Sequence, residues 1–414
     1  MSSGSSLEYG MSNLNITTPL EPTTLRSLQR YAPRQTELIE SLLDPSYPNS
    51  HFRDPYSKHW VQFWLSAWDK DPDSLDVTEG FDRGPDATDE PIFLDEDDNQ
   101  LPPRRDVMLK SDIMDNCWLF KCEKILIRSE YKEAEEFILS TRGAATVYDA
   151  LLIVGDTGIG ISPFCLAITG SQGLSSGRSV FLLRTLLRRL ALKLPTALQI
   201  EPNRALLFYQ GGVKEFTQLN SGSAYNPLKS THDPLGRIWA LVGSNLHEPA
   251  TVFQESPFFV IGASTYNPVR HEWIRKIRTG FFYMKRWSLE EVMQVRSLIE
   301  PAPPSEKKLS YMHYMYGASL KDLFLFAERP EHYDNLINDE VARMSSPWEF
   351  YNLLRFANNA TENFGHLAST MPLPDDRTSP ERNLASKHIA GKVVDHLWGS
   401  NGIRGAGGFG GMFQ

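Results

Sequence analysis

Cysteine is scarce in this chain of 414 residues, with Cys117, Cys122 and Cys165 the whole complement. An odd, sparse set builds no disulfide framework and no paired zinc spacing, and it suits a reducing compartment. Long apolar runs are missing too. None approaches the roughly 18–20 residues of a membrane-spanning helix. The opening Met1-Ser-Ser-Gly-Ser-Ser-Leu-Glu-Tyr9 lacks the basic and apolar stretches of a secretory leader. The expectation is an intracellular protein, cytoplasmic or nuclear, with no membrane contact. An excess of positive charge is absent as well. The net charge is −9, and the window from Asp69 to Asp98 holds thirteen acids against Lys70 and Arg83, so the remainder carries about +2. Charge therefore does not support nucleic acid as a partner. The ten histidines stand in no motif that pairs them with a serine and a carboxylate.

An apolar fraction of 41% makes the chain globular, and its length suggests more than one domain. Residues 1–115 read as an N-terminal region with short helices and an acidic linker. Helical spacing runs from Thr24 to Leu43, broken at Pro33, and His59–Trp68 is an aromatic helix that serves either as a buried anchor or as a docking patch. From 116 to 300 the pattern is that of an α/β domain. Lys124–Arg128 is a short strand, and Ser129–Leu139 is a helix opened by a serine cap. Thr146–Val154, Thr196–Ile200, Arg204–Tyr209, Arg237–Val242, Pro257–Ile261 and Gly280–Met284 are apolar bursts. Unalternating strands with helices between them imply a parallel sheet covered on both faces. Arg178–Lys193 is an amphipathic helix whose Arg184, Arg188 and Arg189 suggest a solvated face. Ser288 and Glu291 have the spacing of a capping box. Residues 301–400 turn helical and aromatic, like a small lid, and 401–414 is a Gly-rich tail.

The centre of the chain is Leu151-Leu-Ile-Val-Gly-Asp-Thr-Gly-Ile-Gly-Ile-Ser162. An apolar strand enters a glycine-rich turn, as in the phosphate-binding pattern G-x-x-x-x-G-K-[ST]. There, backbone N–H groups wrap a phosphate chain and the next helix offers its N-terminus to the same anion. Gly155, Asp156, Thr157, Gly158, Ile159, Gly160, Ile161 and Ser162 are the candidate nucleotide-binding residues. Ile161 stands where the pattern requires lysine.

Several segments in this order resemble the large fungal P-loop proteins related to Crinkler effectors and retrotransposon-hot-spot proteins. They are Ile125–Phe137, the glycine turn, Arg178–Arg184, Pro195–Gln199, Gly236–Val242, Phe282–Lys285 and Tyr316–Phe324, and the likeness spans roughly residues 50 to 390. The resemblance implies an ATPase domain of the AAA/STAND-like branch, binding ATP with Mg²⁺. It also implies roles that this chain departs from. The family's phosphate-loop lysine is Ile161 here, and the Mg²⁺-supporting aspartate is Gly243. The arginine resembling a second sensor is Lys321, which keeps the charge without the bidentate fork. Ser264 and Thr265 are either first-sensor residues or strand-end caps. The family sometimes adds a nuclease-like C-terminal domain, and no nuclease function is expected to carry over.

Removing Ile161–Gly177 would join Gly160 to Arg178, giving Gly-Asp-Thr-Gly-Ile-Gly-Arg-Ser followed at once by the helix. Arg178 would then stand at the lysine position, with Ser179 placed for Mg²⁺. The seventeen residues correspond to a retained intron or a recent insertion. The expectation is a P-loop NTPase-like protein with a degenerate ATP site, in which nucleotide binding persists and hydrolysis is weak or lost. The alternative is a non-catalytic effector or mobile-element-associated interaction protein.

Overall fold

The computed structural model describes residues 25–43, 52–55, 58–71, 76–78, 107–109, 126–140, 148–155, 180–202, 204–217, 236–243, 253, 258–264, 273–297, 303–355 and 364–399. A 3₁₀ turn, Leu25–Tyr31, leads straight into α1 (Ala32–Leu43). The break expected at Pro33 is a change of helix type between Tyr31 and Ala32. Pro33 sits in the first turn, where a missing N–H costs no helical hydrogen bond. Next come β1 (Phe52–Arg53) and α2 (Lys58–Ala67). The aromatic helix α2 is an anchor. Trp60 and Phe63 each meet the ring of Phe208 at 6.1 Å.

The acidic segment is not wholly a linker. Its β2 (Asp76–Thr78) pairs antiparallel with β3 (Val107–Leu109), which pairs with β4 (Leu126–Ile127). Then follow α3 (Ser129–Ser140), β5 (Ala150–Val154), α4 (Val180–Ala191), β6 (Thr196–Glu201), β7 (Arg204–Tyr209) and β8 (Gly212–Thr217). β9 (Ile238–Gly243), β10 (Phe258–Ser264), the single turn α5 (Trp273–Lys276) and β11 (Thr279–Tyr283) complete the α/β part.

These strands make one sheet in the order β1-β8-β7-β6-β9-β10-β5-β11, in which β1 adds only a two-residue pairing at one edge. β6, β9, β10, β5 and β11 are mutually parallel, whereas β7 and β8 form an antiparallel extension. Both faces are covered, as the apolar bursts require. Leu151, Ile153, Leu198, Trp239, Leu241 and Ile261 point toward α2, α3 and α4. The alternate residues Leu152, Val154, Ala197, Ala240 and Val260 join Leu38, Ile39 and Leu42 of α1 and Trp273 of α5 on the other face. Successive residues of a strand serve opposite layers, so a strand buried on both sides reads as an unbroken apolar run.

α4 departs from the amphipathic reading. Every residue except Arg188 is buried, because α2 and α3 cover its outer side. Its arginines do not form a solvated face. Arg184 and Arg188 pair with Glu135 of α3, and Arg189 is buried against Trp239.

After β11 the chain builds a second core from helices. α6 (Leu289–Ser297), α7 (Glu306–Tyr316), α8 (Leu320–Phe326), α9 (Pro330–Arg343) and α10 (Pro347–Leu354) pack around Leu309, Met312, Leu323, Tyr333, Ile337 and Leu353. Ser288 and Glu291 do form the capping box. The Ser288 N–H donates to Glu291 Oε2 at 2.9 Å, and the Glu291 N–H donates to Ser288 Oγ at 3.2 Å. Then comes a feature absent from the sequence reading, an antiparallel hairpin of β12 (Ala368–Leu373) and β13 (Asp376–Leu384). The final helix, α11 (Lys387–Val394), is shorter than the expected Asn383–Trp398 and ends in a π turn, Asp395–Gly399.

Candidate functional site

β5 sits between β10 and β11, and their ends are in register. Val154 lies opposite Ser264 on one side and Tyr283 on the other. One strand further out, Ala263 lies opposite Gly243. The carboxyl ends of four parallel strands thus meet along one edge, with buried Gly155 leaving β5 at its centre. The helix after β5, α4, covers one face of the sheet, and the helix after β10, α5, covers the other. Between β5 and β10 the connections therefore diverge to opposite faces and leave a crevice, where open parallel sheets bind ligands.

Of the residues picked out as nucleotide-binding, Gly155 lies on this edge. Asp156, Thr157, Gly158, Ile159, Gly160, Ile161, Ser162, Arg178 and Ser179 lie outside the described residues, as do Ile161–Gly177 as a whole, Thr265 and the three cysteines. Lys321 is placed elsewhere in detail. It is exposed on the first turn of α8, close enough to His366 to bear on its titration. The segment around it, Tyr316-Gly-Ala-Ser-Leu-Lys321, is a corner between two helices. Gly317 closes α7 in the left-handed conformation with φ 52°, and Ser319 opens α8 by accepting from the Asp322 N–H. This corner explains the run of small residues by backbone geometry.

The β11 end of the edge is lined by arginines that the sequence did not single out. Arg128, buried between β4 and α3, donates from Nε to Glu291 Oε1 at 3.0 Å and from Nη2 to the carbonyls of Lys285 and Arg286 at 3.1 and 2.9 Å. Its guanidinium lies 4.3 Å from the Trp287 ring centroid. Arg377 reaches from β13 to both oxygens of Glu130, at 2.8 and 3.0 Å, and also pairs with Glu133. Glu130 accepts the Lys285 N–H at 2.9 Å as well. It stands in the first turn of α3, where the helix dipole favours an anion. Arg286 ties the carbonyls of Gly317 and Ala385 together. Only the capping spacing of Ser288 and Glu291 hinted at this network, because Arg128 and Glu130 meet partners more than 150 residues away in sequence.

Chemically, the edge presents backbone more than charge. Gly243 supplies no carboxylate at the end of β9, and the strand ends that flank β5 carry Ser264 and Tyr283. Glu130 and Glu133 are committed to Arg377. Mg²⁺ therefore does not fit the described part of the edge, and no hydrolytic step is derived through it. Among the described residues, no group of three or more His, Cys, Asp or Glu could hold a metal ion, and no helix is long and apolar enough to cross a membrane. No family model, no curated protein and no solved structure matches the chain.

Proposed function

We propose that this chain is a P-loop NTPase-like nucleotide-binding protein whose site, at the carboxyl edge around Gly155, takes the phosphates of a nucleotide such as ATP with little or no hydrolysis. The observation that carries the reading is the strand order β6-β9-β10-β5-β11, all parallel, in which the glycine-bearing strand comes first in the chain yet lies between β10 and β11. That order puts Gly155 at the divergence of the two helical layers, where a glycine turn can offer its N–H groups to an anion. The weakness of hydrolysis follows from Ile161 and Gly243. A positioned charge in such a site commonly supplies ~2.7–4 kcal/mol of transition-state stabilisation, or 10²–10³ in rate. The relation to Crinkler-like proteins rests on the short residue matches and remains part of the proposal.

The test is thermal unfolding with Mg-ATP. A ligand at one hundred times its dissociation constant stabilises by about 2.7 kcal/mol. A rise in Tm that Gly158→Val abolishes supports the reading. The absence of any shift at millimolar ATP, with the protein folded, overturns it. That outcome would favour the second reading, a non-catalytic interaction protein, to which Gly243 in place of a carboxylate already points.

A further inference from the structure

α4 carries two polar side chains into the core. Arg189 is wholly buried and Thr185 is 3% exposed, and they stand one helical turn apart on the same face. Arg189 lies over Trp239 of β9, which is itself wholly buried and paired in register with Thr196 of β6 and Phe259 of β10. Leu186, Leu190, Leu198 and Leu241 belong to the same apolar core.

Three polar atoms at this place have no hydrogen-bond partner among the described residues. They are Arg189 Nη1, Thr185 Oγ1 and Trp239 Nε1. The rest of the guanidinium is engaged, with Nε donating to Thr196 Oγ1 and Nη2 to the Pro195 carbonyl. Thr196 Oγ1 in turn donates to the Leu194 carbonyl, so its hydrogen is already used. The charge of Arg189 is unmatched as well. Glu135, the carboxylate that α4 meets on α3, pairs with Arg184 and Arg188. The pKa of Arg189 is lowered by burial alone, with no carboxylate to hold it up.

A buried cation without a counter-charge is costly, and so is each buried donor left without an acceptor. The guanidinium and indole N–H groups can only donate, and the threonine hydroxyl can donate too. The complement is an acceptor that takes several donors at once and carries one negative charge. A water molecule would leave the charge unmatched and bring two hydrogens of its own, for which Thr185 Oγ1 is the one acceptor among the three atoms. A divalent oxyanion would replace one unmatched charge by another in an apolar core.

We propose that Arg189 Nη1, Trp239 Nε1 and Thr185 Oγ1 bind a small monovalent anion, chloride in ordinary media, between α4 and β9. The anion is then a component of the folded state, and the inference stands independently of nucleotide binding. The unfolded chain holds no such site, so chloride stabilises the fold by mass action.

The test is urea unfolding of the full chain at constant sodium, with chloride varied from about 0.5 to 500 mM against gluconate. Above the dissociation constant, each tenfold rise in chloride should lower the unfolding constant about tenfold. Thr185→Val keeps the side-chain shape and Trp239→Phe keeps an aromatic ring, and each removes one donor. Each should raise the chloride concentration at which stabilisation sets in by about tenfold or more, whatever it does to stability at large. Arg189→Met removes the charge and should abolish the response; if that variant does not fold, the other two decide. A response that sets in at the same concentration in the wild type, Thr185→Val and Trp239→Phe would assign chloride to the surface and overturn the proposal. Wild-type stability that does not change with chloride, the result a water molecule would give, overturns it too.

Discussion

Arg189 lays its guanidinium over the indole of Trp239, 4.2 Å from the ring centroid, with both side chains wholly buried. Its Nε donates to Thr196 Oγ1 and its Nη2 to the Pro195 carbonyl, both at 2.9 Å. Burial pushes its pKa down to about 9, so it stays charged at neutral pH. The planar fork makes both hydrogen bonds while its flat face covers the indole, which an ammonium cannot do. Arg189→Lys should therefore destabilise the sheet by about 1–3 kcal/mol. Urea unfolding checks this, and wild-type stability in the variant would remove the role assigned to the fork.

Arg377 is an ionic tie between the hairpin and the α/β part. It pairs with Glu130, whose side chain is 5% exposed. Removing one partner of a buried pair leaves the other uncompensated, typically at a cost of about 3–5 kcal/mol. Arg377→Met should free the β12–β13 hairpin, read as faster amide exchange there. Glu130→Gln in the same chain should restore part of the loss, and a double-mutant cycle measures the coupling.

Gly317 allows no side chain. Its φ is 52°, and an added Cβ would lie 2.0 Å from the Ala385 carbonyl oxygen. Gly317→Ala should cost about 3 kcal/mol or more, because both the dihedral and the backbone contact must yield. The loss should appear as a lowered Tm and as faster amide exchange in α7 and α11.

Two histidines should give opposite pH dependence. His366 holds Glu340 Oε1 at 2.5 Å, and this hydrogen bond raises its pKa against the opposing effect of burial, with Asp322 and Lys321 facing it from α8. The folded value lies above the unfolded one. Its stabilisation is therefore complete below about pH 6.5 and is lost as pH rises through the folded pKa. Burial lowers the pKa of His313, against a hydrogen bond to the Trp287 carbonyl and with Arg286 adding to the fall. Its contribution is complete above about pH 6.5 and fades as pH falls through the depressed value. In Tm measured from about pH 5 to 8, His366→Gln should flatten the alkaline side and His313→Gln the acid side. The reverse assignment would contradict both geometries.

The parallel sheet was legible because its strands are buried on both faces, so Ala150–Val154, Ile238–Gly243 and Phe258–Ser264 stand out as apolar runs. The hairpin was not. Pro372 faces Pro380 across the ladder, and Asp376–Leu384 offers no apolar alternation. Part of its hold on the rest of the chain comes from Arg377, a pairing that spans 247 residues and leaves no local pattern. The arginines of α4 were misread for a similar reason. A helix alone cannot reveal that Glu135 and Trp239 wait on the side where solvent is expected. At the candidate site, Gly155 was legible from the strand that precedes it. The corner that holds Lys321 was not, because the small residues of Tyr316–Lys321 suit a ligand loop as well as two helix caps.

The position of β5 also sets a timetable. Its register partners begin at Val260, 110 residues after Ala150, and at Thr279, 129 residues after it. At about 5–20 residues per second of translation, Leu151–Val154 leaves the ribosome roughly 6–20 seconds before either neighbour exists. For that interval a fully apolar strand stands with both edges unpaired. The strand that will lie at the heart of the sheet is thus the one most in need of shelter while the chain is being made.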